Sequence, residues 1–480
     1  MERGSLWSKE CSISPREKLK GEIETEVAVI GAGLAGILIA FQLQDEGKKV
    51  IVLEGNRIAS GQTKNTTAKI TAQHGEIYNS LIAKFGKGTA KNYADCNLKA
   101  VEWYRDFINK NEIDCDFEDK DAWLYSSRQY ERIKQEYEAC KELEMPVEFM
   151  ENTKFLNRNV SAVVMKNQAQ FNPLMFIKSI SEKLKIYEQS YATEVKNNCI
   201  IGKDFCVRAE KIVFACHYPF VNFPALYFTR LHQERSYVVS IKDTSDINGM
   251  YYGIDADGIS LRRYEDKLLV GGSQHRTGQN LEGDKYDSIR KNIKNYFPNS
   301  SETEFWSAQD CITADGLPYI GTFSKSKPDW YVATGFGKWG MTFSAVSAQI
   351  ITNLITEKNK KETKIFSPSR ISISAVCGIA KEGFHSAKGL IKRAVFIPKE
   401  KLKEIGVGNA GSVFVGGRRL GVYRESEENY YCVSLKCPHL GCKLEWNGDE
   451  KSWDCPCHGS RFNYKGELID NPAQRDITIE

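Results

Sequence analysis

Two short loops constrain this chain more than any other stretch: CPHLGC at 437–442 and CPCHGS at 455–460. They supply Cys437, His439, Cys455 and His458 in the order Cys-x-His, fifteen intervening residues, Cys-x-x-His. Two thiolates with two imidazoles form a mixed donor set that suits iron with inorganic sulfide. Tetrahedral zinc can use the same donors. Zinc fingers, however, run Cys, Cys, His, His, and have no use for the additional cysteine in each loop, Cys442 and Cys457. Pro438, Pro456, Gly441 and Gly459 stiffen or turn the backbone so that several N–H groups can point at sulfur.

The segment resembles the Rieske [2Fe–2S] family. That resemblance implies that Cys437 and Cys455 hold one iron and that His439 and His458 hold the outer one. It also implies a disulfide between Cys442 and Cys457, which clasps the two loops in Rieske proteins of the respiratory type. Ser460 matches the family's serine that hydrogen-bonds a bridging sulfide. Where high-potential members have tyrosine this chain has Phe462, so a donor to a ligand sulfur is missing and a lower potential is expected. His458 or His439 is expected at an exposed tip, as the exit contact for electrons. From Ala394 onward, short runs such as GNAGSVF and YYCVSLKC alternate with Gly-rich turns, which suits a small all-β domain over 394–480.

At the other end, Glu24 to Ile30 reads as a buried strand running into Gly31-Ala-Gly33-Leu-Ala-Gly36. A helix over 37–46 and a second strand, KVIVLE, ending in Glu54, complete a dinucleotide-binding unit. Glycines are needed there because pyrophosphate must approach the backbone, with a helix N-terminus facing its charge. Glu54 is placed to bind the adenosine ribose.

Two further stretches favour FAD over NAD. SGQTKNTTAKITAQHG (60–75), with Thr66 and Thr67, is similar to the loop that wraps pyrophosphate and flavin in D-amino-acid-oxidase-like flavoproteins of the glycine/sarcosine oxidase type. DGLPYIG (315–321), the strand WYVATG (330–335) and FGKWGMTFSAVSAQIITNL (336–354) resemble that family's C-terminal FAD motif. The resemblance makes Gly335, Gly337, Gly340, Met341 and Thr342 flavin-site residues, and KIVFACHYP (211–219) the strand returning to the nucleotide domain. Gly335-Phe-Gly337-Lys-Trp-Gly340 is also a second formal G-x-G-x-x-G, but no strand ending in an acid follows it, which argues against a separate NAD(P)H site.

Between these motifs, 90–145 reads as two charged helices joined around IDCDFEDK (113–120). Asn172-Pro173 reads as a capped helix start. Residues 190–275 read as an antiparallel sheet covering one face of the flavin, closed by a helix over 284–296. In amino-acid-oxidising relatives an arginine five residues before the DGxPxIG aspartate clamps the substrate carboxylate; the matching residue is Asp310, which argues against a simple amino-acid oxidase. Catalytic residues stay unassigned, with His74, His275, Arg276 and Cys311 as candidates.

The expected fold class is an α/β FAD-binding Rossmann-type domain with an antiparallel-sheet substrate domain, plus a small all-β Rieske domain. The boundaries read as an N-terminal extension (1–21), an oxidoreductase domain (22–366), a linker (367–393) containing a helix near 379–392, and the Rieske domain (394–480). Within the oxidoreductase, nucleotide-binding parts fall near 22–80, 205–222 and 310–356, and substrate parts near 90–200 and 223–300. The net charge of +4 is spread out, with thirteen basic and thirteen acidic residues over 393–480, so no nucleic-acid footprint is visible. The most apolar run, 27–40, is too short to span a bilayer, and no signal peptide is seen in the first twenty-five residues. Fourteen scattered cysteines point to a reducing, cytoplasmic compartment, with residues such as Cys206 read as buried fillers rather than disulfide partners.

A two-electron flavin and a one-electron cluster in one chain suit an oxidoreductase that splits electron pairs between a small organic substrate, of amine or hydroxy-acid type, and an external one-electron carrier. An NAD(P)H-dependent reductase and a redox sensor without a dedicated substrate are the alternative readings.

Overall fold

The computed structural model describes residues 2–245, 247–280, 283–358, 364–370, 405–415 and 418–479. The linker helix expected near 379–392 and the start of the second domain at 394 lie outside the described residues.

Buried apolar runs make the first sheet. Strand Gly21–Ile30 lies parallel between Phe205–Phe214 and Val50–Leu53, flanked by Lys327–Thr334 and Ile186–Tyr187. Phe214, Ile30 and Leu53 are in register, so three strands end together and leave a crevice beyond their carboxyl ends, where a doubly wound sheet binds its ligand. Helix Leu34–Asp45 starts directly at this crevice, and Leu34–Ala40 are all buried. Helix Gly340–Ile355 packs beside it, beginning after the turn that follows Lys327–Thr334.

The second sheet has ten strands and is mostly antiparallel. The long pair Leu231–Lys242 and Ser301–Thr313 lies near one edge, followed by Lys267–Arg276, Ser260–Tyr264 and Met250–Gly253. Three strands were not anticipated: Glu118–Ser126, Val147–Phe155 and Arg158–Gln170 extend this sheet. The two expected charged helices exist, Lys87–Lys110 and Tyr130–Glu142, but Glu118–Ser126 runs between them instead of a plain connection. Its first residues, EDKD, carry solvent-side charge that hides the strand, whereas Ala122, Leu124 and Tyr125 are buried. The expected antiparallel stretch also divides, because Ala192–Lys196 and Cys199–Gly202 join the nucleotide sheet.

Other readings hold in detail. Asn172 caps its helix by accepting from Leu174 N at 3.2 Å and Met175 N at 3.3 Å, with Pro173 at the first position. The closing helix spans Lys285–Tyr296. At the N-terminus, Leu6 and Trp7 are fully buried, and Glu2–Arg3 adds a parallel strand beside Ser301–Thr313. Cys206 is not a lone filler: it is bonded to Cys199 across the hairpin, where antiparallel pairing sets the two Cα atoms 6.3 Å apart.

The C-terminal domain pairs a three-stranded sheet (Ala410–Val415, Arg418–Arg424, Tyr430–Ser434) with a four-stranded one (Glu445–Asn447, Ser452–Asp454, Arg461–Asn463, Leu468–Asp470). It packs directly on the ten-stranded sheet. Strand alternation divides that sheet's faces. From the long pair Leu231–Lys242 and Ser301–Thr313, Gln233, Arg235 and Gln309 reach the C-terminal domain, whereas Ser236, Asp310 and Ile312 line the cavity on the opposite side.

A flavin crevice and two cysteine loops

The crevice at the carboxyl ends of the parallel strands is a cavity of about 290 Å³. Gly31, Gly33, Glu54, Thr66, Cys311, Gly335, Gly337, Gly340 and Met341 all line it. At Gly31 a Cβ would sit 2.5 Å from the Ala215 carbonyl oxygen, and at Gly36 a Cβ would sit 1.9 Å from the Gly31 oxygen. Both glycines are therefore demanded by strand–turn–helix packing. Glu54 closes Val50–Leu53 and accepts from Ala32 N and Asn56 N, each at 2.8 Å. Burial pushes its carboxyl up against the pull of those amides. The second glycine motif borders the same crevice as the first, so the two glycine stretches make one site. The donors and the backbone-lined approach fit a dinucleotide.

A second cavity of about 640 Å³ adjoins the first, and Thr66, Ala308, Asp310, Gly335, Phe336, Gly337 and Lys338 border both. Its walls include Thr67, Lys69, His74, Tyr252 and Trp339. Lys338 lies 3.4 Å from Glu234 and 3.5 Å from Asp310. Burial pulls the Lys338 ammonium down, but Asp310 and Glu234 outweigh it and hold the proton more tightly than usual. Burial pushes the Asp310 carboxyl up. Lys69 donates to the Tyr251 carbonyl at 2.8 Å and to Ser260 Oγ at 2.6 Å, and burial lowers its pKa to about 7. Lys338, Glu234, Lys69 and Tyr252 were not singled out from sequence. Lys338, inside the second glycine motif, and Lys69, inside the 60–75 stretch, were the two that lay within a motif.

The four catalytic candidates separate. His74 lines the larger cavity but is fully committed: it contacts Tyr93 Oη at 2.7 Å, the Thr71 carbonyl at 2.8 Å and Thr342 Oγ1 at 3.0 Å, and it stacks on Trp339. Burial lowers its pKa to about 3, so the ring is neutral and fixes Thr342 at the start of helix Gly340–Ile355. Thr342 itself is buried behind the crevice wall. Cys311 borders the flavin crevice, and burial pushes its thiol up to about 12, so it is no nucleophile at neutral pH. His275 bonds Tyr237 Oη at 2.9 Å and itself borders neither cavity. Arg276 points to the C-terminal domain, donating to the Cys457 carbonyl at 3.3 Å.

The two cysteine loops have the same geometry. Cys437 N donates to Cys442 O and Gly441 N to Cys437 O; Cys455 N donates to Ser460 O and Gly459 N to Cys455 O. Gly441 and Gly459 both have positive φ, 82° and 81°, which lets each turn close tightly. Cys442 and Cys457 are bonded to each other. The sulfurs of Cys442, Cys455 and Cys457 lie within 4.8 Å of one another, but the disulfide removes two of them as thiolates. The free, buried pair is Cys437 and Cys455. The Cys455 thiol holds the Cys437 sulfur low, helped by the His439 and Leu440 amides and the Ser460 hydroxyl. His439 and His458 stand with ring centroids 4.9 Å apart, and His439 Nδ1 is buried without a hydrogen-bond partner. Two facing thiols, amides aimed at sulfur and an orphaned imidazole nitrogen are what a cluster between these side chains requires. Phe462 is fully buried beside the four cysteines.

Neither histidine forms an exposed tip. His458 is buried, and His439 Nε2 meets Asn222 Oδ1 at 2.9 Å, with Phe228 edge-on to both rings. The flavoprotein part covers this edge because the two domains dock through it. Missing from the sequence reading was Glu450, a buried carboxylate that pairs with Arg235 at 2.7 Å, Arg461 at 3.1 Å and Arg3 at 3.3 Å. Leu468, Ile469, Asp470, Asn471 and Gln474 of the C-terminal domain border the flavin crevice.

A nucleotide crevice joined to a substrate-side cavity, with a cysteine–histidine cluster site packed against it, defines a flavoprotein oxidoreductase with a built-in iron–sulfur centre. The chain belongs to the FAD dependent oxidoreductase family, whose model matches residues 26–354, and carries a Rieske [2Fe-2S] domain matched over 395–479. It is thus an FAD-dependent oxidoreductase whose cofactors are FAD and a [2Fe–2S] cluster, and the zinc reading falls away. Among its relatives, the putative Rieske 2Fe-2S iron-sulfur protein YhfW of Bacillus subtilis is 34% identical over 98% of this chain and 96% of its own. Glycine oxidase from Geobacillus kaustophilus shares the fold with a TM-score of 0.63 at 15% identity, covering 72% of this chain and 99% of its own. L-proline dehydrogenase from P. horikoshii gives 0.60 at 18% identity, over 74% and 98%. Among the described residues no helix is long and apolar enough to cross a membrane.

Proposed function

We propose that this oxidoreductase passes electrons between a small organic substrate, bound in the 640 Å³ cavity, and a cluster held by Cys437, His439, Cys455 and His458. An external carrier then exchanges those electrons with the cluster one at a time. The observation that carries this reading is the sharing of one crevice wall: residues 468–471 of the Rieske domain border the same space as Gly31, Gly33 and Glu54. When bound, FAD supplies two-electron exchange with the substrate and the cluster supplies single-electron exchange with the carrier, so each substrate needs two cluster turnovers.

The chain's own residues set the conditions. Gly31 and Gly33 let the backbone approach a pyrophosphate, with the amide end of Leu34–Asp45 toward its charge. Glu54 takes the ribose, and Thr66 sits where the two cavities meet. Asp310 and Lys338, at that same junction, hold an acid and a base in contact with a bound substrate. Two structural neighbours act on amines by name, glycine and L-proline, which supports an amine among the two substrate classes. Asp310 in place of a cationic clamp argues against recognition through an α-carboxylate.

The test is an anaerobic titration of purified holoprotein, following flavin absorbance and the cluster's EPR signal together. Bleaching by an amine or a hydroxy acid followed by cluster reduction is expected. Bleaching by NADH alone would replace this reading with an NAD(P)H-dependent reductase, and no bleaching by any donor class would leave only an electron relay.

A further inference from the structure

The seam between the two domains contains one side chain whose every polar atom is used. Gln233, buried in Leu231–Lys242, donates through Nε2 to the His458 carbonyl at 2.8 Å and the Asn471 carbonyl at 3.0 Å. Its Oε1 accepts from Gln309 Nε2 at 2.8 Å and meets His217 Nε2 at 3.1 Å. An amide oxygen only accepts, so His217 carries its proton on Nε2. Gln309 Nε2 also donates to the Gly459 carbonyl at 2.9 Å.

The close approach is built into both backbones. A Cβ at Gly459 would come within 2.6 Å of Gln233 Cβ, and a Cβ at Gly278 would come within 2.5 Å of Pro456 N. At the other end, His217 borders the flavin crevice, and Asn471 holds it in place by donating to the carbonyls on either side, Cys216 at 3.0 Å and Tyr218 at 2.9 Å.

We propose that His217, Gln233 and the His458 peptide form the electron route between bound flavin and cluster, with Gln309 as the positioning residue that fixes the Gln233 amide. The proposal rests on the functional reading above and adds its path. Electronic coupling falls less steeply through covalent and hydrogen bonds than across van der Waals gaps. This bridge runs from a side chain on the crevice wall to the peptide of a cluster ligand with no such gap. Each passage moves one electron, which leaves the reduced flavin and enters the oxidised cluster. No bond along the bridge is made or broken, and protons freed on flavin oxidation leave to solvent. A competing contact, Asn222 to His439 Nε2 at 2.9 Å, also reaches a ligand, but Asn222 is not among the residues bordering the crevice.

The experiment is laser-flash reduction of the full-length holoprotein with 5-deazariboflavin, without oxygen, reading flavin and cluster absorbance on the same trace. Gln233→Leu is expected to slow electron arrival at the cluster roughly tenfold, about 1.4 kcal/mol if read as a barrier. FAD content, cluster potential and EPR line shape should stay as in wild type, which a merely structural role for Gln233 would not preserve together with a slowed rate. Asn222→Ala, which removes the partner of His439 Nε2, is expected to change the rate only as far as it shifts the cluster potential, read on the same sample. Should Gln233→Leu not fold, Gln309→Met is expected to slow transfer by a smaller factor. An undiminished rate in the folded Gln233 or Gln309 variant, or slowing in Asn222→Ala alone at an unchanged cluster potential, overturns the route. Failure of electrons to equilibrate between the centres in wild type would instead overturn the functional reading.

Discussion

Glu450 gives the sharpest prediction about what holds the two redox domains together. It sits in the turn between Glu445–Asn447 and Ser452–Asp454 and faces Arg235 and Ser307 of the oxidoreductase sheet, at 2.7 and 2.5 Å. Tyr286 Oη donates to its other oxygen at 3.0 Å. Burial raises the Glu450 carboxyl, but Arg235, Arg461 and Arg3 outweigh it and hold the pKa at about 2, against 4.5 for a free glutamate. That shift is worth about 3 kcal/mol. Removing one partner of a buried pair costs a comparable ~3–5 kcal/mol. Arg461 belongs to the same domain and Arg3 is half-exposed, so the share acting across the seam is smaller, about 2 kcal/mol. Glu450→Gln should therefore raise the undocked fraction by roughly 30-fold.

Urea titration read by cluster dichroism and by flavin fluorescence checks this. In wild type the two signals should be lost together; in Glu450→Gln the cluster-domain signal should move to lower urea. Because the folded pKa is depressed, the stabilisation is present above about pH 4.5 and is lost as pH falls toward 2. The difference between wild type and variant in intrinsic fluorescence melting should shrink over that window. Coincident midpoints for wild type and Glu450→Gln at neutral pH would refute the argument that this ion pair governs docking.

Three other outcomes follow from the same geometry. Cys437→Ser or Cys455→Ser should abolish the cluster's EPR signal while flavin absorbance persists, whereas Cys442→Ser should permit assembly but shorten cluster lifetime, as judged by bleaching over time. Phe462→Tyr, placing a donor beside the buried cysteines, should raise the cluster potential by at most ~60–130 mV from a charge-assisted hydrogen bond of about 1.5–3 kcal/mol; voltammetry showing no rise would count against a missing donor. Gly36→Ala would put a Cβ 1.9 Å from the Gly31 oxygen, so the purified variant should contain little FAD by absorbance and melt at a lower temperature.

Much of the site was legible because its chemistry is local in sequence. Ligation to a cluster needs four side chains on two tight turns, and Cys437, His439, Cys455 and His458 lie within twenty-two residues. Pyrophosphate binding needs a strand, three glycines and a helix in succession, and 24–46 shows that pattern. The strands Glu118–Ser126 and Val147–Phe155 were harder to see, since charged residues on an exposed face blur the alternation that identifies a strand, while Arg158–Gln170 is buried continuously over Val160–Met165 and so shows no alternation. His74 and Arg276 illustrate a different obstacle. Both sit beside motifs, yet one is spent on Tyr93, Thr71 and Thr342 and the other on the cluster loop. A side chain's partners depend on what packs against it from elsewhere in the chain.

The order of residues by itself determined the two cofactors, the loops and turns that receive them, and the sequence of the domains along the chain. Only the tertiary structure decided that the cysteine loops face inward, that the crevice is completed by 468–471 and Gln474, and that one sheet separates the larger cavity from those loops. The physical reason is register. Pairing Arg235 with Gln309 sends both side chains, together with Gln233, toward the Rieske domain and leaves Ser236 and Asp310 for the cavity. A slip of one residue would exchange the two faces, and that register is fixed by burial across the whole sheet rather than by any short stretch of sequence.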